Sequence, residues 1–98
     1  MTPTTVSQNG INLVKKFEGL HKVTEEGMVR AYRCPAGRWT IGYGHCKGVK
    51  SGMRVTKEEC ISLLTDDLND AGAVVKRYVS VPLSQEQFDA LVSFVFNI

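Results

Sequence analysis

Ala31-Tyr32-Arg33-Cys34-Pro35-Ala36-Gly37-Arg38-Trp39-Thr40-Ile41-Gly42-Tyr43-Gly44-His45 is the stretch on which the fold turns. Val29 to Arg33 and Arg38 to Tyr43 are two short runs rich in β-formers, and Cys34-Pro35-Ala36-Gly37 between them has the residues of a tight turn. The pattern predicts a β-hairpin. Gly42, Gly44, Gly48 and Gly52 then keep the chain irregular, so a small, loop-rich β-lobe is expected.

Helical periodicity lies on both sides of this lobe. Upstream, Ile11, Leu13, Val14 and Phe17 recur at helical spacing with Lys15-Lys16 opposite, and Gly19 is a natural stop, which predicts a short helix ending at Glu18. Gly10 weakens that helix. His21 to Val29 is polar, with Thr24-Glu25-Glu26-Gly27 as turn material. Downstream, Thr56-Lys57-Glu58-Glu59 is a capping box. The helix it opens carries Cys60, Leu63, Leu64, Leu68, Ala71, Val74 and Val75 on one face, runs to about Tyr78 and bends near Gly72. Val81-Pro82-Leu83 breaks it, and Ser84-Gln85-Glu86-Gln87 starts another. From Leu91 onward only Ser93 and Asn97 interrupt the apolar surface of this last helix. A helix apolar on nearly every side belongs in a core. With no later segment to cover it, Phe88, Leu91, Val92, Val95 and Phe96 are expected to form an exposed face that drives homo-oligomerisation or helix exchange. The fold class is α+β.

Ninety-eight residues support one domain. The 43% hydrophobic and 22% charged content is that of an ordinary globular chain rather than a disordered one. No apolar run reaches bilayer length, and the polar Met1-Thr2-Pro3-Thr4-Thr5 is unlike a signal peptide, so no export signal is expected. A net charge of +2 permits weak attraction to an anionic wall. Lys15-Lys16 and Lys47 to Lys50 read as solvated surface, without the clustering a nucleic-acid partner requires. Three cysteines, Cys34, Cys46 and Cys60, are an odd number at irregular spacing and read as reduced thiols. His45, Cys46 and Cys34 have zinc-ligand chemistry but lack paired spacing, so no metal is expected.

Chemistry centres on Glu18, Cys34 and Thr40. Glycoside hydrolysis needs a carboxylic acid for the leaving oxygen and a second group across the sugar that activates water or attacks. Glu18 closes a helix, where the dipole disfavours charge, with Phe17 and Leu20 as apolar flanks. Surface helices also end in Glu without any catalytic role. Thr40 sits mid-strand with a hydroxyl able to orient water, and is equally an ordinary β-former. Cys34 is a small hydrophobe unless its thiol is helped to ionise. Trp39 and Tyr43 line a sugar groove or simply pack, and His45 reads as a strut in its loop.

These residues carry a resemblance. Phe17-Glu18-Gly19, the stretch from Ala31 to His45, Gly52-Met53-Arg54-Val55-Thr56, Val81-Pro82-Leu83-Ser84 and Gln87 to Asn97 together resemble phage lysozymes (endolysins) of glycoside hydrolase family 24. The combined pattern covers nearly the whole chain and is specific, although each piece alone is weak. The resemblance implies one lysozyme-like domain over 1–98, with a helix plus β-lobe over 7–54 carrying the site and an incomplete helical lobe over 55–98, truncated at its C-terminus relative to the family. It implies a muramidase that hydrolyses the β-1,4 bond between N-acetylmuramic acid and N-acetylglucosamine in bacterial peptidoglycan. Glu18 falls on the family's acid and Thr40 on its threonine. Cys34 falls on its aspartate position, where some endolysins carry Cys. Tyr43 and Trp39 are assigned to substrate and His45 to support of the site, with no metal or organic cofactor. Such a protein accumulates in the host cytoplasm until a separate holin-type protein releases it to the wall. The segment between Glu18 and Cys34 is several residues longer than the family's. The alternative is a weak or inactive derivative that binds peptidoglycan or associates with itself.

Overall fold

The computed structural model describes residues 3–98 as three helices and four short strands. They are α1 (Gln8–Glu18), β1 (Val29–Arg30), β2 (Tyr32–Arg33), β3 (Trp39–Thr40), β4 (Arg54–Val55), α2 (Lys57–Tyr78) and α3 (Gln85–Asn97). Two compact units result: Glu18–Leu64, and the segment up to Phe17 together with Thr65–Ile98.

In the Glu18–Leu64 unit, β2 and β3 form the expected hairpin, with Tyr32 opposite Thr40 and Arg33 opposite Trp39. The turn is closed by the Cys34 N–H donating to Arg38 O (2.9 Å) and the Gly37 N–H donating to Cys34 O (2.8 Å). The upstream run divides, because Ala31 donates instead to Met53 O and β1 pairs antiparallel with β4. Val29 and Val55 face each other inward there, and Arg30 and Arg54 outward. That second pairing was not expected from sequence, since a two-residue strand leaves no periodicity to read. The long segment after Glu18 folds back on itself: Val23 bridges Val29, Thr24 N–H donates to Met28 O (2.7 Å), and the Thr24 hydroxyl accepts from Met28 N–H (3.1 Å). Its polar side chains therefore frame a turn with its own hydrogen bonds. Beneath the strands, Val29, Ala31, Ile41, Val49, Val55 and Cys60 form a core, with Leu20, Trp39, Tyr43, Met53 and Leu63 packed against it.

The other unit packs α1, the later part of α2, and α3 around Ile11, Val14, Leu68, Ala71, Val75, Phe88 and Val92. The Ser7 hydroxyl accepts from the Gly10 N–H (3.1 Å) as an N-cap and donates to the Asp89 carboxylate, which also accepts from the Ser7 N–H (3.0 Å) and from Gln85 Nε2 (2.8 Å). Asp89 thus ties the start of α1 to α3. Gly10 has a packing reason: a Cβ there would stand 2.7 Å from Val6 Cγ2 and 2.9 Å from Asp89 Cγ. Both expected capping boxes form, Thr56 with Glu59 and Ser84 with Gln87.

Three apolar faces differ from expectation. In α1 only Ile11 and Val14 are buried, while Leu13 is 53% and Phe17 81% exposed. In α2 Val74 lies outside the buried stripe. The α3 face expected to be exposed is largely internal: Phe88 and Val92 are fully buried, and Leu91, Val95 and Phe96 are half-buried. The Phe88 ring finds its partner in α2, where a Cβ on Gly72 would come within 3.2 Å of Phe88 Cζ. The absence of a side chain at Gly72 opens a seat for the ring, and the uncovered apolar residues are instead Phe94 in α3 and Ile98 just after it.

Candidate active site

The hairpin register assembles a cluster of polar groups within the Glu18–Leu64 unit. Alternate strand residues point to opposite faces, so Tyr32 and Thr40, directly across from one another, share one face while Arg33 and Trp39 take the other. Cys34 follows Tyr32 by two residues and returns to the first face, where the nearby Thr40 hydroxyl is one of the groups that favour its ionised form. Thr40 is 3% exposed, and its Oγ1 donates to Arg38 O (3.0 Å) and lies 3.8 Å from Cys46 Sγ. The Cys46 thiol donates to Gly44 O (3.4 Å).

Glu18, the last residue of α1, is half-buried, and its carboxyl rests against the loop after β3. Ile41 and His45 close that loop by exchanging backbone hydrogen bonds of 2.8 and 3.0 Å. His45 Nε2 lies 2.9 Å from Lys47 O, and because a carbonyl only accepts, this nitrogen carries the hydrogen. At Gly44, φ is +87°, and a Cβ would stand 2.9 Å from Glu18 Oε1. Only glycine takes that backbone conformation without strain and leaves room for the carboxylate.

Ionisation behaviour ties these groups together. Burial raises the Tyr32 phenol above its usual range, and the neighbouring charges of Cys34, Glu18 and Cys46 raise it further, so one hydroxyl senses all three. The Cys34 thiol is held below its usual range, chiefly by the Arg38 backbone N–H, with help from the Ala36 N–H, the Thr40 hydroxyl and the Arg38 guanidinium, against burial. Cys60 behaves oppositely, since burial and the Glu59 charge raise it. A carboxyl, a thiol with a lowered pKa and a hydroxyl thus lie on the Tyr32 side of this unit, residue types able to donate a proton and hold a water.

Of the residues singled out in the sequence, Cys34 and Thr40 share the hairpin face of Tyr32, whose phenol feels the charges of both Cys34 and Glu18, and His45 sits in the loop that meets Glu18. Trp39 and Tyr43 stand elsewhere. Tyr43 packs on the core, where burial and the Cys60 charge raise its phenol. Trp39 lies on the other face of the hairpin, with the Arg33 guanidinium 5.5 Å from its ring centroid. The flank expected beside Glu18 is also divided, because Leu20 packs on the core while Phe17 faces solvent. Tyr32 and Cys46 were missed. Tyr32 could have been found from hairpin register, whereas Cys46 arrives by loop closure and leaves no sequence signal. Among the described residues, no three of His, Cys, Asp or Glu converge to hold a metal ion. A hollow of about 450 Å³ in the helical unit, beside Gly10, Leu13 and Asp89, contains none of these groups.

A profile of the phage lysozyme family matches residues 15–98. The endolysin of Acyrthosiphon pisum secondary endosymbiont phage 1 is 40% identical over 93 residues, covering 95% of this chain and 59% of the relative. Among solved structures, the muramidase domain of SpmX from Asticaccaulis excentricus superposes with a TM-score of 0.82 at 44% identity, covering 97% of this chain and 60% of that one. A P22 lysozyme variant gives 0.77 at 38% identity, covering 98% and 64%. The chain thus spans about 60% of the length of these relatives. The matched residues include the helix end, the hairpin and the loop that build the cluster, and this chain belongs to the phage lysozyme family.

Proposed function

We propose that this chain acts as a muramidase of phage lysis, hydrolysing the β-1,4 bond between N-acetylmuramic acid and N-acetylglucosamine in peptidoglycan. The observation that carries this reading is the Glu18 carboxyl held against the Gly44 backbone, in the same cluster as Cys34 and Thr40. Glu18 gives its proton to the glycosidic oxygen as the bond to the anomeric carbon breaks, and the electron pair stays on the leaving oxygen. Water, oriented by Thr40, attacks the anomeric carbon and passes a proton to the Cys34 thiolate. Tyr32 and the Ile41–His45 loop hold these groups in register. Family membership and relatives named as endolysins and as a muramidase domain support the reaction class. No helix among the described residues is long and apolar enough to cross a membrane. By its relationship to endolysins, access to the wall depends on a separate holin-type protein.

Clearing of outer-membrane-permeabilised Gram-negative cells, with mass spectrometry of the released fragments, tests this. Reducing-end N-acetylmuramic acid is expected. Glu18→Gln should reduce the rate by about 10²–10⁴-fold with little change in melting temperature. Clearing that survives Glu18→Gln removes Glu18 from the acid's role, and a different reducing end overturns the bond assignment.

A further inference from the structure

The β1–β4 pair and the Trp39 face of the hairpin together hold an unassigned feature. The net charge of +2 is unevenly divided: the Glu18–Leu64 unit has eight Lys and Arg against five Asp and Glu, or +3, and the remainder has four against five, or −1. Four of the eight are arginines; two of those line one hollow, and a third lies over the Trp39 ring that helps line it. Arg30 and Arg54 are directly opposite across β1 and β4, both exposed. Like charges in that position repel, and the inward Val29–Val55 pair fixes a register that cannot relieve them. The two line a hollow of about 300 Å³ with Ala31, Trp39, Ser51 and Gly52, and the Arg33 guanidinium lies over the same Trp39 ring. Glu26 lies near enough to feel the Arg54 charge, so a single carboxylate already approaches one side of the pair.

Paired guanidiniums present planar forks that match a carboxylate, and an indole beside them offers an apolar wall for the carbon skeleton bearing it. Trp39 faces away from Thr40, so this hollow does not hold the bond that is cut. Peptidoglycan carries carboxylates on its peptide stems, beside the glycan. We propose that the Arg30–Arg54–Trp39 hollow is a second, non-catalytic wall-binding subsite that takes the stem-peptide carboxylates of peptidoglycan. It rests on the peptidoglycan reading above and extends it: the subsite anchors the enzyme by peptide while the opposite face of the hairpin works on sugar.

Binding is measured by co-sedimentation with purified, teichoic-acid-free sacculi, using Glu18→Gln throughout so that the polymer stays intact. Arg30→Gln/Arg54→Gln should weaken binding about tenfold, from two partly screened ion pairs. The charge-matched Lys47→Gln/Lys50→Gln control should change it less than about twofold. Arg30→Lys/Arg54→Lys keeps charge but loses the forks, and should fall between, which decides the matter if the Gln variant folds poorly. Sacculi whose carboxyls have been amidated should bind the parent only as well as they bind the arginine variant. Equal losses for lysine and arginine variants would reduce the effect to diffuse charge, and a difference that persists on amidated sacculi would exclude stem carboxylates. Either result overturns the subsite while leaving Glu18-dependent cleavage untouched, and failure of the cleavage assay would leave this binding difference measurable.

Discussion

Gly44→Ala separates fold stability from the geometry of the proposed site. Two costs are superimposed at this position. The first is conformational: φ is +87°, and an L-residue there costs about 1–2 kcal/mol. For a domain of this size that lowers the melting midpoint by roughly 5–15 °C. The second is positional. The new methyl would meet Glu18 Oε1 at 2.9 Å, whereas ordinary contact begins near 3.4 Å, so the carboxyl must withdraw by about half an ångström or more. Moving the end of a flexible side chain adds little to the folding cost. For the proton donor proposed above it matters more: misplacement by about 1 Å costs on the order of 100-fold, so a loss of roughly 10–100-fold is expected at temperatures where the variant is fully folded. Gly27→Ala is the control, with φ at +79° and nothing within 4 Å of its added Cβ. Both variants should melt lower, and only Gly44→Ala should clear peptidoglycan slowly well below its midpoint. Equal activity of the two folded variants would refute the claim that Gly44 holds the carboxyl. An undiminished melting temperature in both would refute the backbone argument.

Other outcomes follow from the same coordinates. Phe88→Ala should lose about 3–5 kcal/mol, a large part of the stability of a domain this size, in thermal or urea unfolding; a loss under 1 kcal/mol with dissociation of an oligomer would restore Phe88 to an exposed face. Asp89→Asn replaces an acceptor of three donors with a group that itself donates, so a cost of about 1–3 kcal/mol is expected, with faster amide exchange at Gly10 and Ile11; unchanged exchange there would sever the link from α3 to α1. Cys34 should alkylate first and Cys60 last, with the Cys34 rate rising to its plateau below the pH of a free thiol. The linked signs oppose one another. Cys34, depressed in the fold, adds stability above its unfolded pKa that fades as pH falls through its folded value. Cys60, raised in the fold, adds stability below its unfolded pKa that fades as pH rises through its folded value. Peptide mapping that finds Cys60 modified before Cys34 would contradict both assignments.

Local signals explain which elements were legible. Capping boxes at Thr56 and Ser84 and the turn at Cys34 to Gly37 act over three or four residues, so their partners are adjacent in sequence and the structure reproduces them. The β1–β4 pairing joins residues some 25 apart through strands of two residues each, too short for alternation to register. Apolar residues on α1 and α3 were countable, but which of them face a partner depends on where that partner lies. Phe17 has helical spacing and faces solvent, while Phe88 finds a seat at Gly72.

From the sequence alone came the helix that ends at Glu18, the hairpin that sets Thr40 opposite the strand leading to Cys34, and the family resemblance of the residues around them. Each depends on chemistry between near neighbours along the chain. Tertiary structure alone decided that Glu18 rests on the Gly44 backbone, that Cys46 comes beside Thr40, and that Trp39 turns away toward Arg30 and Arg54. Those relations depend on loop closure and strand register, which bring together groups that no sequence spacing connects.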